Sequence, residues 1–238
     1  MRWLLLLAFV PVQAAAEIGS AEACKIAVAA DPVAAREDAA AWARTGGGIP
    51  ARLCEAEALA ALGAHGTAAV LLTRLAENPN RAMPAELRAV VLGDAAGQWL
   101  DAGRPDLARA VLVQADRLMQ PDPDRLLLQA RTAAAEADWP AAQAALSRLT
   151  TVEPNNPLAH AMTAATLRYQ GDPSAALREA KVAFRLAPDL PESLFELAAA
   201  RAETGDPAGA SLLWQRLLAQ HPDSDLAAAA RANLQAFN

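Results

Sequence analysis

A period of 34 residues organises this chain. Residues 171–188 begin with Gly-Asp-Pro, carry an alanine five residues after the glycine and end in proline, and residues 205–222 repeat this arrangement. Alanines recur at the same spacing in two series, which are Ala108, Ala142, Ala176 and Ala210 and, twelve positions earlier, Ala96, Ala130, Ala164 and Ala198. A repeat of this length predicts supersecondary units that stack on one another and bury a continuous core.

Each unit has the sequence signals of two antiparallel helices. In Gly171-Asp172-Pro173, the glycine suits the left-handed residue that ends the first helix. The aspartate can cap the second helix, and the proline suits its first turn. The paired alanines are expected where the two helices cross, because a methyl side chain lets the helix axes approach closely.

These features resemble the tetratricopeptide repeat family. The chain has a small residue at repeat position 8, glycine at 15, alanine at 20, a bulky apolar residue at 24 and proline at 32. It departs from the family at Ala180, which occupies position 24 of one copy, and it lacks the family's tryptophan at position 4. The resemblance covers residues 49–224 as five repeats. It implies an all-α, right-handed α-solenoid of helix pairs.

The segments outside the repeats predict three further parts. Residues 1–16 have a basic start, an apolar run and small residues before a cleavage point after Ala16, which is typical of a secretory signal peptide. The apolar run is too short for a membrane anchor, which needs about 20 residues, and no later segment is long and apolar enough to span. Residues 17–48 predict an N-terminal helical pair. Residues 225–238 predict a C-terminal capping helix that covers the last apolar face.

Net charge restricts the class of partner that we expect, and the cysteine content indicates a disulfide and an oxidising compartment. The chain has a net charge of −6 and no basic stripe, so nucleic acid is not an expected partner. Its two cysteines, Cys24 and Cys54, predict one disulfide in an oxidising compartment such as the periplasm. A metal site or a redox pair is the alternative. The three histidines are scattered, however, and redox cysteines are normally closer in sequence.

No catalytic pattern stands out in the sequence. We find no Ser/His/Asp set, metal-ligand spacing or phosphate-binding loop, so we expect no enzymatic activity, metal or cofactor. The leading hypothesis is a periplasmic adaptor that binds a protein or peptide, in cell-envelope assembly or secretion. The alternatives are an architectural subunit without groove recognition and, less favoured, an enzyme acting on an envelope polymer.

The resemblance also implies where a partner would bind. Family members bind peptides in a concave groove lined by positions 2, 5, 9, 12 and 13 of the first helices. At these positions the candidate site residues are Leu127, Arg131, Arg168, Tyr169 and Phe195. We expect the two arginines and the tyrosine to converge on a peptide that carries an acidic side chain or a C-terminal carboxylate. The alternative is that these residues have no binding role. Leu127 and Phe195 would then pack in the core, and the arginines would be solvated at the surface.

Overall fold

The computed structural model describes residues 18–78 and 83–236. The chain divides into two compact units, residues 1–75 and 76–238, which are described separately. Every regular element among the described residues is an α-helix. The predicted signal peptide lies outside the described residues.

The first unit is built on three mutually packed helices, α1 (Ala21–Ala30), α2 (Pro32–Arg44) and α3 (Gly48–Ala61), followed by α4 (His65–Glu77). The side chains of Ser20 and Asp31 accept hydrogen bonds from the first backbone N–H groups of α1 and α2. A disulfide joins Cys24 of α1 to Cys54 of α3, with 5.7 Å between the Cα atoms. The N-terminal helical pair is therefore covalently attached to α3.

The second unit contains four helix pairs and a final helix. The first helices of the pairs are α5 (Ala85–Asp101), α7 (Pro123–Ala135), α9 (Pro157–Tyr169) and α11 (Pro191–Glu203). The second helices are α6 (Pro105–Leu118), α8 (Trp139–Val152), α10 (Pro173–Leu186) and α12 (Pro207–Gln220), and the final helix is α13 (Asp225–Ala236). Each first helix packs most extensively against the second helix of its own pair.

The turns inside the pairs follow the Gly-Asp-Pro pattern. Gly171 and Gly205 adopt the left-handed backbone conformation, with φ of 82° and 92°. The carboxylates of Asp172 and Asp206 then accept hydrogen bonds from backbone N–H groups at the start of α10 and α12. In the pair α7–α8, the left-handed position holds Ala137, with φ of 57°.

The repeated alanines lie at the helix crossings. All eight members of the two series in this unit are completely buried, namely Ala96, Ala108, Ala130, Ala142, Ala164, Ala176, Ala198 and Ala210. At repeat position 24, Leu112, Leu146 and Trp214 fill the space beside them. Ala230 of α13 joins the cluster around Trp214, so the last helix covers the end of the core. This arrangement is the predicted α-solenoid with its C-terminal capping helix.

Candidate functional site

The candidate site is one face of the four first helices in the second unit. We call it the first-helix face. On each helix it consists of residues spaced three or four apart, which share one side of that helix, and on α9 and α11 it also includes one adjacent residue. Its members are Val90, Asp94, Gly97 and Asp101 on α5; Asp124, Leu127, Arg131 and Ala135 on α7; Leu158, Met162, Ala165, Arg168 and Tyr169 on α9; and Glu192, Phe195, Glu196, Ala199 and Glu203 on α11.

A buried arginine, Arg125, lies at the start of α7 beside Gly93 of α5. A Cβ atom added to Gly93 would lie 3.5 Å from Cγ of Arg125, in ordinary van der Waals contact. Arg125 is buried, and its guanidinium donates hydrogen bonds to the carbonyls of Met119 and Gln120 after the end of α6. A guanidinium suits these carbonyls, because they lie just beyond the C-terminal, negative end of the α6 dipole. Arg125 therefore has a structural role between the pairs.

Arg168 is held by two carboxylates of the neighbouring first helix. Its Nε donates to Glu196 at 3.0 Å, and its Nη1 donates to Glu203 at 2.6 Å. The Arg168 side chain is only 13 % exposed. Burial alone would lower the pKa of Arg168, but the two carboxylates together outweigh this effect and raise it. Burial raises the pKa of Glu196 even though Arg168 opposes this shift. Arg168 is therefore an ion-paired group that links α9 to α11.

Tyr169 forms an aromatic stack that sequence reasoning missed. Its ring lies parallel to the ring of Trp139, at the start of α8, with 4.4 Å between the centroids and 3° between the planes. The guanidinium of Arg168 lies 5.3 Å from the Tyr169 centroid. Tyr169 nevertheless remains 61 % exposed. The structure thus brings Arg168 and Tyr169 together and adds Trp139 to them.

Arg131 has a different partner. Its Nη2 lies 3.6 Å from the Asp101 carboxylate at the end of α5, and both side chains are largely exposed. This pair connects α5 to α7 across the first-helix face. Such an exposed ion pair contributes little stability, but it places a negative charge directly beside the Arg131 guanidinium.

Leu127 and Phe195 belong mainly to the core. Leu127 is half-buried against the cluster that contains Leu126 and Leu146. Phe195 is 9 % exposed and packs in the cluster with Leu197 and Trp214. Leu127 therefore offers part of its surface to a partner, and Phe195 offers very little.

A separate cleft lies on the side of the second helices. It has a volume of about 370 Å³ and is bordered by α6, α7 and α8. On α8 it is lined by Ala141, Ala144 and Ala145, whose short side chains leave space beside α6, and by the longer Arg148. One period later, Arg178 and Glu179 occupy the positions of Ala144 and Ala145. The cleft thus results from short side chains on α8.

Other kinds of site receive no support within residues 18–78 and 83–236. In these ranges, no group of three or more His, Cys, Asp or Glu side chains is arranged to hold a metal ion. No helix in the same ranges is long and apolar enough to cross a membrane.

Comparison with known proteins identifies the fold. No family model and no curated protein sequence matches the chain. Among solved structures, the chain resembles a protein of the Cut9–Hcn1 hetero-tetramer of the APC/C, with a TM-score of 0.70, 16 % identity and 92 % of this chain covered. The match covers 43 % of that longer protein, so the chain spans less than half of its length.

Two smaller solved proteins match along nearly their whole length. One is TTC0263, a thermophilic TPR protein of Thermus thermophilus, with a TM-score of 0.61, 20 % identity, and 77 % of this chain and 97 % of that chain covered. The other is YrrB, a TPR protein with an unusual peptide-binding site, with a TM-score of 0.57, 16 % identity, and 83 % and 100 % covered. At these identities the likeness concerns the fold alone. The chain therefore has the fold of a tetratricopeptide-repeat protein, as the 34-residue period predicted.

Proposed function

We propose that this protein is an exported, non-catalytic adaptor of the bacterial periplasm that holds a protein segment on its first-helix face. The observation that carries the proposal is the face itself: three successive first helices, α5, α7 and α9, present exposed or half-buried apolar residues, which are Val90, Leu127, Leu158 and Met162. The solved relative YrrB is described as having a peptide-binding site, which supports this use of the fold.

Two features support the proposed location. Residues 1–16 have the composition of a signal peptide. The Cys24–Cys54 disulfide fits an oxidising compartment. An adaptor in this compartment could serve envelope assembly or secretion, and we propose that setting for it.

A pair of matched substitutions tests the binding face. Ala165→Trp places a large side chain on the first-helix face, and Ala144→Trp places one in the cleft beside the second helices. Each purified variant, checked for a cooperative thermal transition, is used as bait for a detergent-solubilised envelope fraction. We expect Ala165→Trp to lose at least about nine-tenths of the partner recovered by wild type, since a bulky residue there blocks close approach.

The Ala144→Trp control distinguishes binding on the first-helix face from binding on the second-helix side. Ala144→Trp is expected to recover the partner at the wild-type yield. Loss with Ala144→Trp and retention with Ala165→Trp would place the interaction on the second-helix side. Full recovery by both variants would replace the proposal with an architectural subunit that docks through its flanks or end helices.

A further inference from the structure

The charges on the first-helix face point to the chemistry of its partner. The face carries six carboxylates and two guanidiniums: Asp94, Asp101, Asp124, Glu192, Glu196 and Glu203 against Arg131 and Arg168. Carboxylates therefore outnumber cations on the surface where the partner is proposed to lie.

Both arginines are already neutralised within the chain. Arg168 is bound by Glu196 and Glu203, and Arg131 lies beside Asp101. To bind a carboxylate of a partner, Arg168 would have to give up at least one of two short hydrogen bonds from a largely buried position. A partner carboxylate near Arg131 would meet the negative charge of Asp101. The two arginines therefore do not favour an acidic partner.

Three carboxylates of the described face are not ion-paired. Within the part of the chain that the structure describes, Asp94, Asp124 and Glu192 form no ion pair with another side chain. Asp94 and Asp124 are exposed, and Glu192 is half-buried. Asp124 and Glu192 occupy the same repeat position, two pairs apart, in the first turns of α7 and α11. They therefore lie along one edge of the face.

Apolar surface lies beside these carboxylates. Val90 is 52 % exposed, one turn of α5 before Asp94. Leu158 occupies on α9 the repeat position that Asp124 and Glu192 occupy on α7 and α11, and it is half-buried, as is Met162 one turn later. A segment crossing this edge would meet carboxylate, apolar surface and carboxylate in turn.

We infer that the segment held on the first-helix face is basic, with lysine or arginine side chains separated by apolar ones; this inference rests on the proposed function. Charge complementarity to Asp94, Asp124 and Glu192 selects the cations, and Leu158 and Met162 receive the apolar side chains. Asp124 and Glu192 would engage cations on either side of the apolar side chains that meet Leu158 and Met162.

A random-peptide selection tests this inference without knowledge of the natural partner. A displayed library of random dodecapeptides is selected on the folded protein, and the enriched peptides are synthesised and measured by fluorescence anisotropy. We expect enriched peptides with net positive charge and apolar residues between the cations. Their affinity should fall as salt is added, because these charges lie at the surface.

The matched variants compare carboxylates in equivalent helix positions. Asp124→Asn with Glu192→Gln removes two first-turn charges from the face, whereas Asp225→Asn with Glu22→Gln removes two first-turn charges from α13 and α1. We expect the first double variant to bind the basic peptides about five-fold more weakly, and the second to bind within about two-fold of wild type. Arg131→Ala should leave binding unchanged or strengthen it, because it uncovers Asp101.

The outcomes separate the inference from the function on which it rests. Enriched peptides that are acidic or uncharged, or that Arg131→Ala weakens, would overturn the basic partner while leaving the face as a binding site. Basic peptides that bind normally to Ala165→Trp and poorly to Ala144→Trp would overturn the proposed face. No enrichment over an unrelated bait, in a protein that unfolds cooperatively, would overturn both.

Discussion

Glu196 is a buried carboxyl within the candidate site. Its carboxyl is buried on α11 and contacts Arg168, while Glu203 lies on the other side of the same guanidinium. Burial raises the pKa of Glu196 above 4.5, its ordinary value, because the charged form loses hydration that Arg168 only partly replaces. This carboxyl should therefore make the stability of the second unit depend on pH.

The sign of this dependence follows from proton linkage. A carboxyl with a raised pKa binds more protons in the folded state than in the unfolded state at pH values above 4.5. The stabilisation it provides is complete below 4.5 and is lost as the pH rises through the raised, folded-state pKa. Glu196→Gln removes this titration. As the pH rises from about 4.5 to 7, the free energy of unfolding of this variant should therefore decrease less than that of wild type.

Urea denaturation of both proteins across this pH range measures the difference. Glu203→Gln, which removes the more exposed carboxylate beside Arg168, serves as the control and should retain most of the wild-type pH dependence. Identical pH profiles for Glu196→Gln and wild type would show that the buried carboxyl does not titrate as described.

At the scale of the helical elements, the turn between α7 and α8 is an exception among the repeats. Gly63, Gly103, Gly171 and Gly205 adopt positive φ at the equivalent position, whereas this turn places Ala137 there. This conformation costs a residue with a Cβ atom roughly 1–2 kcal/mol. The strain is local to one turn, so a single substitution should relieve it.

Ala137→Gly is expected to raise the free energy of unfolding by about 0.5–1 kcal/mol, since relief of strain exceeds the added entropy of the unfolded chain. Ala110→Gly, at an exposed position inside α6, should lower the free energy by about 1 kcal/mol. Denaturant titration of the two variants measures both effects. Equal destabilisation by the two substitutions would show that Ala137 carries no strain.

Residues that are close together or one period apart in the sequence encode much of the helix and turn structure. The Gly-Asp-Pro segments specify the end of one helix and the cap of the next, and the alanine series specifies the helix crossings. Both could be predicted because they depend on residues a few positions apart or one period apart. The partner of Arg168 could not be predicted in the same way. Glu196 and Glu203 lie 28 and 35 residues away, and which of several nearby carboxylates an arginine meets depends on side-chain rotamers.

Across the whole second unit, the period indicates where the missed contacts lie, although not which side chain makes each of them. Arg131 meets Asp101, Tyr169 meets Trp139 and Arg168 meets Glu203, all at separations close to one repeat. Side chains one period apart on consecutive pairs are therefore the ones to inspect for contacts. The charges that such contacts leave unpaired are the basis on which we infer a basic partner, in place of the acidic one expected from the arginines alone.

The most direct test of the account is site-specific photo-crosslinking of the protein in its native cells. A photoreactive amino acid replaces either Val90 on the first-helix face or Val113 on α6, two valines of similar exposure at 52 % and 47 %. The account predicts a discrete crosslinked partner at Val90 and none at Val113, because the bound segment is proposed to lie across the first-helix face. A partner crosslinked at Val113 and absent at Val90 would contradict it.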